Sequence, residues 1–465
     1  FAEGAFNSAF VPLFAKELEG EGDAAGRRFG EEALAALLTA LLVFVALAEI
    51  TMPLLMLVLA PGFVSDPDKF DLAVLLTRIA FPYLALVSLV AFYSGVLNAR
   101  GRFAAAAFAP ALLNVVFIIA LVLVLWLGYA DSPKAGIVLS WATLAGGIAQ
   151  LLVVLYASAR ERMVFRLRRP RLTAGVRRLW SLAVPGILAG GIIQINIVVG
   201  TMIASMAAGA VSYLYYADRI YQLPLGIVGI AIGVVLLPDL SRQLRAGRMD
   251  IVDHLQNRSL EFSMALTLPA AVALVVMAVP IITVLFERAS FTASDTVATA
   301  QALSAFAVGL PAFVLVKVFS PGYFAREDTR TPMIFAGISV SVNVALSLIL
   351  FPFFAHVGIA IATSVAGWVN AGLLAVVLAR RGQFTADAQI KKRLPLLFAA
   401  SLLMGVCLYA AEWGLADALV APSLMVRAAA VGVMVFGGMA VFAVFCQLTG
   451  AFDFREARKS LRKSG

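Results

Sequence analysis

The chain has 465 residues, of which 62% are hydrophobic and 14% are charged, and its mean hydropathy is +0.96. A water-soluble domain has about 45–50% apolar and about 25% charged residues, so the composition excludes a soluble protein of this length. The apolar residues fall in long runs, which indicates many membrane-spanning helices.

Twelve apolar runs are long enough to cross about 30 Å of hydrocarbon at about 1.5 Å per residue. The predicted spans in chain order are 35–60, 72–98, 103–129, 135–158, 179–206, 211–238, 260–286, 296–320, 333–354, 357–379, 394–411 and 424–450. Residues 1–18 read as the exit end of a further helix, and they lack the charged start of a signal peptide. We therefore predict an all-α polytopic membrane protein.

The basic residues alternate between loops, which tests this assignment because positive side chains of short loops stay on the cytoplasmic side. One set of alternate loops carries 29 Lys and Arg, and the opposite set carries four. The three others lie within predicted spans, at Arg78, Arg219 and Lys317. The net charge of +9 is therefore interpreted as a topology signal, and no nucleic-acid partner is expected.

One cytoplasmic loop is strongly basic, with eight Arg between Arg160 and Arg178. Topology explains these charges, and anionic lipid headgroups are a second interpretation.

A weak internal repeat recurs at a spacing of 226 to 229 residues, pairing Pro12 with Pro238, Asp66 with Asp295, and Arg100 with Arg326. It predicts two pseudo-symmetric six-helix lobes in the same orientation, with a cleft between them. The predicted domains are an N-lobe (1–158), a basic linker (159–178), a C-lobe (179–379), and two additional helices with a basic tail (380–465).

Arg219 is the strongest candidate for chemistry because it lies about 12 Å inside its predicted span at about 1.5 Å per residue. Polar and aromatic residues surround it in "SYLYYADRIYQLPLG", among them Ser212, Tyr215 and Asp218. A guanidinium offers a fork of donors that matches phosphate oxygens, so an anion clamp is one interpretation. A structural ion pair with an acid on another helix is the other.

The other ionisable groups leave several interpretations open. Arg78 could bind ligand or extend to the outer interface, and Lys317, near the inner end of its span, is interpreted as an interfacial lysine. Glu49 could be protonated, paired or part of a coupling site. The two Cys and two His have no metal-ligand spacing, and both His are placed in or beside loops.

Several long motifs resemble the MurJ (MviN) family of lipid II flippases, in the multidrug/oligosaccharidyl-lipid/polysaccharide (MOP) exporter superfamily. The segments that carry this resemblance along the chain are "FAEGAFNSAFVP" (1–12), "APGF" (60–63), "FPY" (81–83), "FAPALLN" (108–114), "YYADRIYQLPLGIVGIAIGVVLLP" (215–238), "FTASD" (291–295) and "KVFSPGYFAREDTRTP" (317–332).

The resemblance implies transport of the undecaprenyl-pyrophosphate-linked peptidoglycan precursor from the cytoplasmic to the periplasmic leaflet of the bacterial inner membrane. By motif, Arg219 matches a cavity arginine, Ser212 a functional serine and Glu3 an essential glutamate, while the two extra helices would hold the polyprenyl tail. The family's first helix and the start of its second are expected to lie upstream of Phe1. Glu49 has no counterpart in the family pattern.

The predicted function is thus a flippase that works by alternating access, and it is not an enzyme. No cofactor is expected, and coupling would be to the membrane potential or to a monovalent cation. The expected form is a monomer in the bilayer, with the cell-wall synthesis machinery as a candidate partner. The alternatives are a superfamily exporter of another lipid-linked oligosaccharide or of drugs, and a membrane-embedded lipid-modifying enzyme.

Overall fold

The computed structural model describes residues 7–451, and this part of the chain contains fifteen α-helices and no strand. In chain order the helices are α1 (Asn7–Ile50), α2 (Met52–Leu59), α3 (Pro67–Ala80), α4 (Tyr83–Ala99), α5 (Ala104–Trp126), α6 (Pro133–Arg160), α7 (Ala174–Ala204), α8 (Ala210–Arg245), α9 (Met249–Val276), α10 (Ala278–Phe286), α11 (Ala293–Phe324), α12 (Arg330–Arg380), α13 (Ala388–Gly414), α14 (Ala416–Leu419) and α15 (Leu424–Thr449). A short 3-10 helix, Pro61–Ser65, follows α2.

Nine helical segments between residues 7 and 451 are long and apolar enough to cross a membrane, and one of them consists of α3 and α4 together. One of these, α12, contains two predicted spans, because Ala355 interrupts it with a φ of 47° and a ψ of −131°. The helices α7 and α8, of 31 and 36 residues, coincide with two further predicted spans. All twelve predicted spans fall on helices, and the chain is a multi-pass membrane protein.

Three predicted spans are each divided into two helices, at Thr51, at Phe81–Pro82 and at Met277. Hydropathy cannot reveal these breaks because the residues on both sides of each are apolar. The sequence placed both histidines in or beside loops, and in the structure both lie in helices close to a helix start or break. His254 lies within α9, and His356 lies within α12, where its Nε2 is 2.8 Å from the carbonyl oxygen of Ala298.

The repeat found in the sequence reappears in the helix boundaries at a constant spacing of 226 residues. The matching boundaries are the ends Ile50 and Val276, the starts Met52 and Ala278, and the starts Pro67 and Ala293. A constant offset over several boundaries indicates two copies of one helical unit.

The capping residues correct one pairing within this repeat. Asp66 is the N-cap of α3 and accepts a hydrogen bond from the Lys69 backbone N–H. The N-cap of α11 is Thr292, which lies 226 residues after Asp66, whereas Asp295 is the third residue of that helix and completes a capping box. The pairing of Asp66 with Asp295 is therefore wrong by three residues, because both acids cap a helix start from different positions.

The chain divides into two compact units, unit 1 (Phe1–Val198) and unit 2 (Val199–Gly465). The division falls within α7, and the domain boundaries inferred from the sequence stay predictions. The core of unit 1 contains a cluster of aromatic rings. Phe92 lies 4.9 Å from Phe10 and 5.5 Å from Phe165 between ring centroids, so a residue of the basic linker is part of this core.

Unit 2 is built around α11, which packs against α8, α9 and α12. Glycine permits the closest of these approaches. A Cβ added at Gly309 would lie 2.8 Å from the backbone Cα of Ser364, whose hydroxyl donates to the Ala305 carbonyl at 2.6 Å. The backbones of α11 and α12 are therefore in direct contact at this point.

The last two long helices are attached to α9 and α10 by ion pairs as well as by packing. Glu261 of α9 accepts hydrogen bonds from Arg258 and from Arg393 of α13, the latter at 2.5 Å. At the other end, Arg427 of α15 lies 3.8 Å from Glu287, which follows α10. Glu261 is buried. The first contact joins α13 to α9 at one end of the span, and the second joins α15 to the end of α10 at the other.

We predict that Gly309→Ala lowers the stability of unit 2 by about 1–3 kcal/mol, because overpacking forces two backbones apart. The measurement is the thermal unfolding temperature in detergent. Gly337→Ala of α12 is the matched control, since an added Cβ there meets nothing within 4 Å and should be neutral or stabilising. Equal unfolding temperatures for the two variants would contradict the assigned contact.

Candidate functional site

The helix α8 presents two chemically different faces. Ala217, Ile220 and Tyr221 are buried in the core of unit 2, and the Tyr221 ring stacks on Phe306 of α11 with centroids 5.2 Å apart. Four exposed side chains recur at helical spacing on another face: Ser212, Tyr215, Arg219 and Gln222. The buried face therefore fixes the direction in which the polar face points.

Arg219 is held over an aromatic ring of its own helix. Its guanidinium carbon lies 4.7 Å from the centroid of the Tyr215 ring, a cation–π contact worth about 0.5–1 kcal/mol at an exposed site. Among the side chains that the structure describes, no carboxylate lies within salt-bridge distance of Arg219. The adjacent Asp218 carboxylate instead accepts a hydrogen bond from Gln222. The guanidinium is therefore available to a ligand.

Lys317 extends this polar face, although the sequence suggested an interfacial lysine. Its side chain crosses from α11 to α8 over Gly229, where an added Cβ would lie 2.7 Å from the lysine Cδ. Together with Gln222 and Gly226, it lines a cavity of about 310 Å³. The sequence signal for this contact was the pair Gly226 and Gly229 on α8, which leaves room for a long side chain from a neighbouring helix.

The start of α8 is fixed by a contact that the sequence did not predict. The Tyr213 hydroxyl donates to Asp295 at 2.7 Å, and its ring lies 5.2 Å from that of His356. Gly209, with a φ of 72°, makes room for the Tyr213 ring, because a Cβ there would lie 2.6 Å from the hydroxyl oxygen. Tyr213 thus positions the helix that carries Arg219.

The predicted site residues are distributed unevenly. Ser212, Tyr215, Asp218 and Arg219 lie together on α8, whereas Arg78 is an exposed residue in the last turn of α3 in unit 1. Glu3 lies outside the described residues. Glu49 of α1 has a buried Oε1 atom that no group in the described chain hydrogen-bonds.

A second feature of unit 2 is an apolar groove of about 1070 Å³ between α9, α11, α12 and α13. Its walls include Met264, Val308, Gly372 and Phe398, and its ends on α13 are Leu394 and Tyr409. The 15-residue separation of those ends corresponds to roughly 22 Å along the helix. The groove is therefore long, is lined by apolar side chains, and is suited to an extended hydrocarbon chain.

Sequence comparisons place the chain among known proteins. The family described as "Lipid II flippase MurJ" matches residues 1–429. A probable lipid II flippase MurJ of Rhizobium meliloti (strain 1021) is 48% identical over 465 residues, which is 100% of this chain and 87% of the relative. Its counterpart in Rickettsia prowazekii (strain Madrid E) is 33% identical, covering 95% of this chain and 86% of the relative.

Solved structures show the same fold. A lipid II flippase MurJ in an inward closed conformation matches with a TM-score of 0.78 at 24% identity, over 96% of this chain and 88% of that one. An inward-facing multidrug resistance MATE family transporter of the MOP superfamily matches with a TM-score of 0.62 at 16% identity, over 82% of this chain and 93% of that one. The fold is that of the MOP transporters, and the chain belongs to the MurJ family.

Proposed function

We propose that this protein is a flippase that moves lipid II, a lipid whose pyrophosphate carries a disaccharide-pentapeptide, across the bacterial inner membrane. Family membership supports the substrate, and one structural observation carries the assignment: unit 2 combines an exposed cationic face with a long apolar groove. These two features suit the two chemically opposite parts of such a lipid.

Both features are built on α11. Val308, Pro311, Leu315 and Phe319 line the groove, while Lys317 points to the polar face of α8. Successive residues are about 100° apart around a helix, so Lys317 lies roughly opposite Leu315 and Phe319. One helix can therefore face the headgroup site and the hydrocarbon site at once.

We propose the following roles for the cationic residues. Arg219 can grip two phosphate oxygens with its planar fork, and the Tyr215 ring holds that fork in place. Lys317 adds a compact positive charge farther along α8. Asp218 and Gln222, which already hydrogen-bond to each other, offer polar groups to the sugars or the peptide. No bond in the substrate is made or broken.

Transport would follow from alternating access, with the headgroup bound at the polar face of α8 while the tail stays in hydrocarbon. The basic loops indicate which side faces the cytoplasm. We propose transport from the cytoplasmic to the periplasmic leaflet, as the family resemblance implies. Moving charge through the membrane potential changes the free energy by about 2.3 kcal/mol per charge per 100 mV. We propose this potential, or a monovalent cation moved by it, as the driving force.

We predict that Arg219→Ala lowers lipid II translocation by about tenfold or more, since a hydrogen bond to a charged group is worth about 1.5–3 kcal/mol. Lys317→Met should act in the same direction, because it keeps the aliphatic stem over Gly229 and removes only the charge. The assay is exposure of the pentapeptide to a membrane-impermeant reagent in proteoliposomes.

The matched control for both variants is Arg245→Ala, which removes an exposed positive charge from the far end of α8. Arg219→Lys should give an intermediate rate because it retains the charge without the fork. Wild-type translocation by Arg219→Ala would remove the clamp from the proposal. Native mass spectrometry that finds a different lipid-linked glycan on the purified protein would overturn the substrate.

A second prediction concerns the apolar groove. Gly372 lines it, and a Cβ added there meets nothing within 4 Å, so Gly372→Leu should fill the groove without disturbing the fold. We expect slower translocation of lipid II with its full polyprenyl tail and little change for an analogue with a short tail. Gly432→Leu of α15, which is equally free of contacts and lies outside the groove, should leave both rates unchanged.

A further inference from the structure

The basic linker between α6 and α7 is docked onto unit 1 by specific contacts. The buried Glu31 carboxylate of α1 accepts from the Arg166 backbone N–H at 3.1 Å and from the Arg168 Nε at 2.5 Å. The Thr173 hydroxyl donates to Glu32 at 2.7 Å. The positions of the arginines that follow Arg168 are therefore set by the fold.

Hydrophobic packing holds the same segment. Phe165 enters the aromatic core directly against Gly30, where an added Cβ would lie 2.3 Å from the ring. Met163 is 1% exposed. Ser158 donates to the Met163 carbonyl at 2.7 Å, so the chain is anchored where it leaves α6.

The outer surface of this linker alternates basic and apolar side chains. Arg169 and Arg171 are exposed, and no carboxylate whose side chain is described lies within salt-bridge distance of either. Leu167 and Leu172 are each 72% exposed. Basic and apolar side chains that alternate on one surface are typical of segments at the boundary between lipid headgroups and acyl chains.

Beside the linker, unit 1 contains a separate cavity of about 460 Å³. One wall is a stripe on α1 that begins at Ala36 and ends at Leu47, a rise of roughly 16 Å along the helix. The other wall contains Leu172 and Trp180, and Arg171 is the one charged residue that lines it. The cavity is an apolar slot with a guanidinium near its linker end.

We propose that this slot binds one acyl chain of an anionic phospholipid from the cytoplasmic leaflet, with the lipid phosphate on Arg171. The apolar walls and the position in a membrane-spanning unit select a lipid chain, and the free guanidinium selects a negative headgroup. Arg168 takes no part because Glu31 neutralises it. All residues of the slot belong to unit 1, whereas Arg219 and Lys317 belong to unit 2.

The test uses the fluorescence of Trp180, which lines the slot. The protein is reconstituted in phosphatidylcholine vesicles containing brominated-chain phosphatidylglycerol or, for comparison, brominated-chain phosphatidylcholine. Bromine quenches indole at short range, and subtracting the signal of Trp180→Phe isolates this residue from the other four tryptophans. We expect phosphatidylglycerol to be preferred about fivefold, as for roughly one basic residue at a headgroup.

Two pairs of variants separate a site from general attraction. Arg171→Gln should abolish the preference, and Arg178→Gln, an equal loss of charge, should retain it, because Arg178 lies two residues from Trp180 and so on the opposite side of α7. Ala40→Leu fills the slot and should lower quenching by both lipids. Ala46→Leu, an exposed residue of the same helix outside the slot, should change neither.

Three outcomes would overturn the proposal. Equal quenching by the two lipids would show that no anionic headgroup is selected. Equal effects of Arg171→Gln and Arg178→Gln would show that the basic linker attracts anionic lipid only as a diffuse charge. Unchanged quenching in Ala40→Leu would show that no chain enters the slot. Monodisperse elution of each variant in detergent confirms that it is folded.

Discussion

The close contact between α11 and α12 is the constraint on which the rest of unit 2 depends. Gly309 lets the two backbones meet, and the Ser364 hydroxyl ties them to each other through the Ala305 carbonyl. With α11 held there, one of its faces forms a wall of the apolar groove and another directs Lys317 to α8. Gly309 thereby helps to position the helix that contributes to both features.

A positive charge inside a membrane protein is expensive unless it meets water, a ligand or a partner. This protein places the exposed Arg219 guanidinium over the aromatic ring of Tyr215. Glu261, in contrast, is paired with two arginines. The difference is chemical: a paired arginine holds helices together, and an unpaired one can recognise an anion.

Much of the fold follows from the sequence because the signals involved are long-range averages. Hydropathy over twenty residues locates the spans, and the basic loops fix their alternation. The same averaging hides the breaks at Thr51, Pro82 and Met277, where a backbone change occurs inside uniformly apolar sequence. The break at Ala355 was different, because it falls between the predicted spans 333–354 and 357–379 and so could be located from the sequence.

The site was predictable only in part, for a related reason. Ser212, Tyr215 and Arg219 share a helix, so their common face follows from helical periodicity alone. Lys317 and Tyr213 act across helices, and the contacts that direct them depend on gaps left by Gly229 and Gly209. A glycine shows in the sequence that space is available. It does not show which side chain from elsewhere in the chain fills that space.

The repeat gives one of these contacts a wider meaning. The residues that stand 226 positions before Glu261 and Glu287 are Ala35 and Pro61, so the first copy of the helical unit has no acid at either level. Two nearly equivalent scaffolds thus differ by two carboxylates at the heights where α13 and α15 attach. That difference breaks the symmetry of the duplicated fold. Carboxylates that can pair with arginines of α13 and α15 stand at these two positions in the second copy and not in the first.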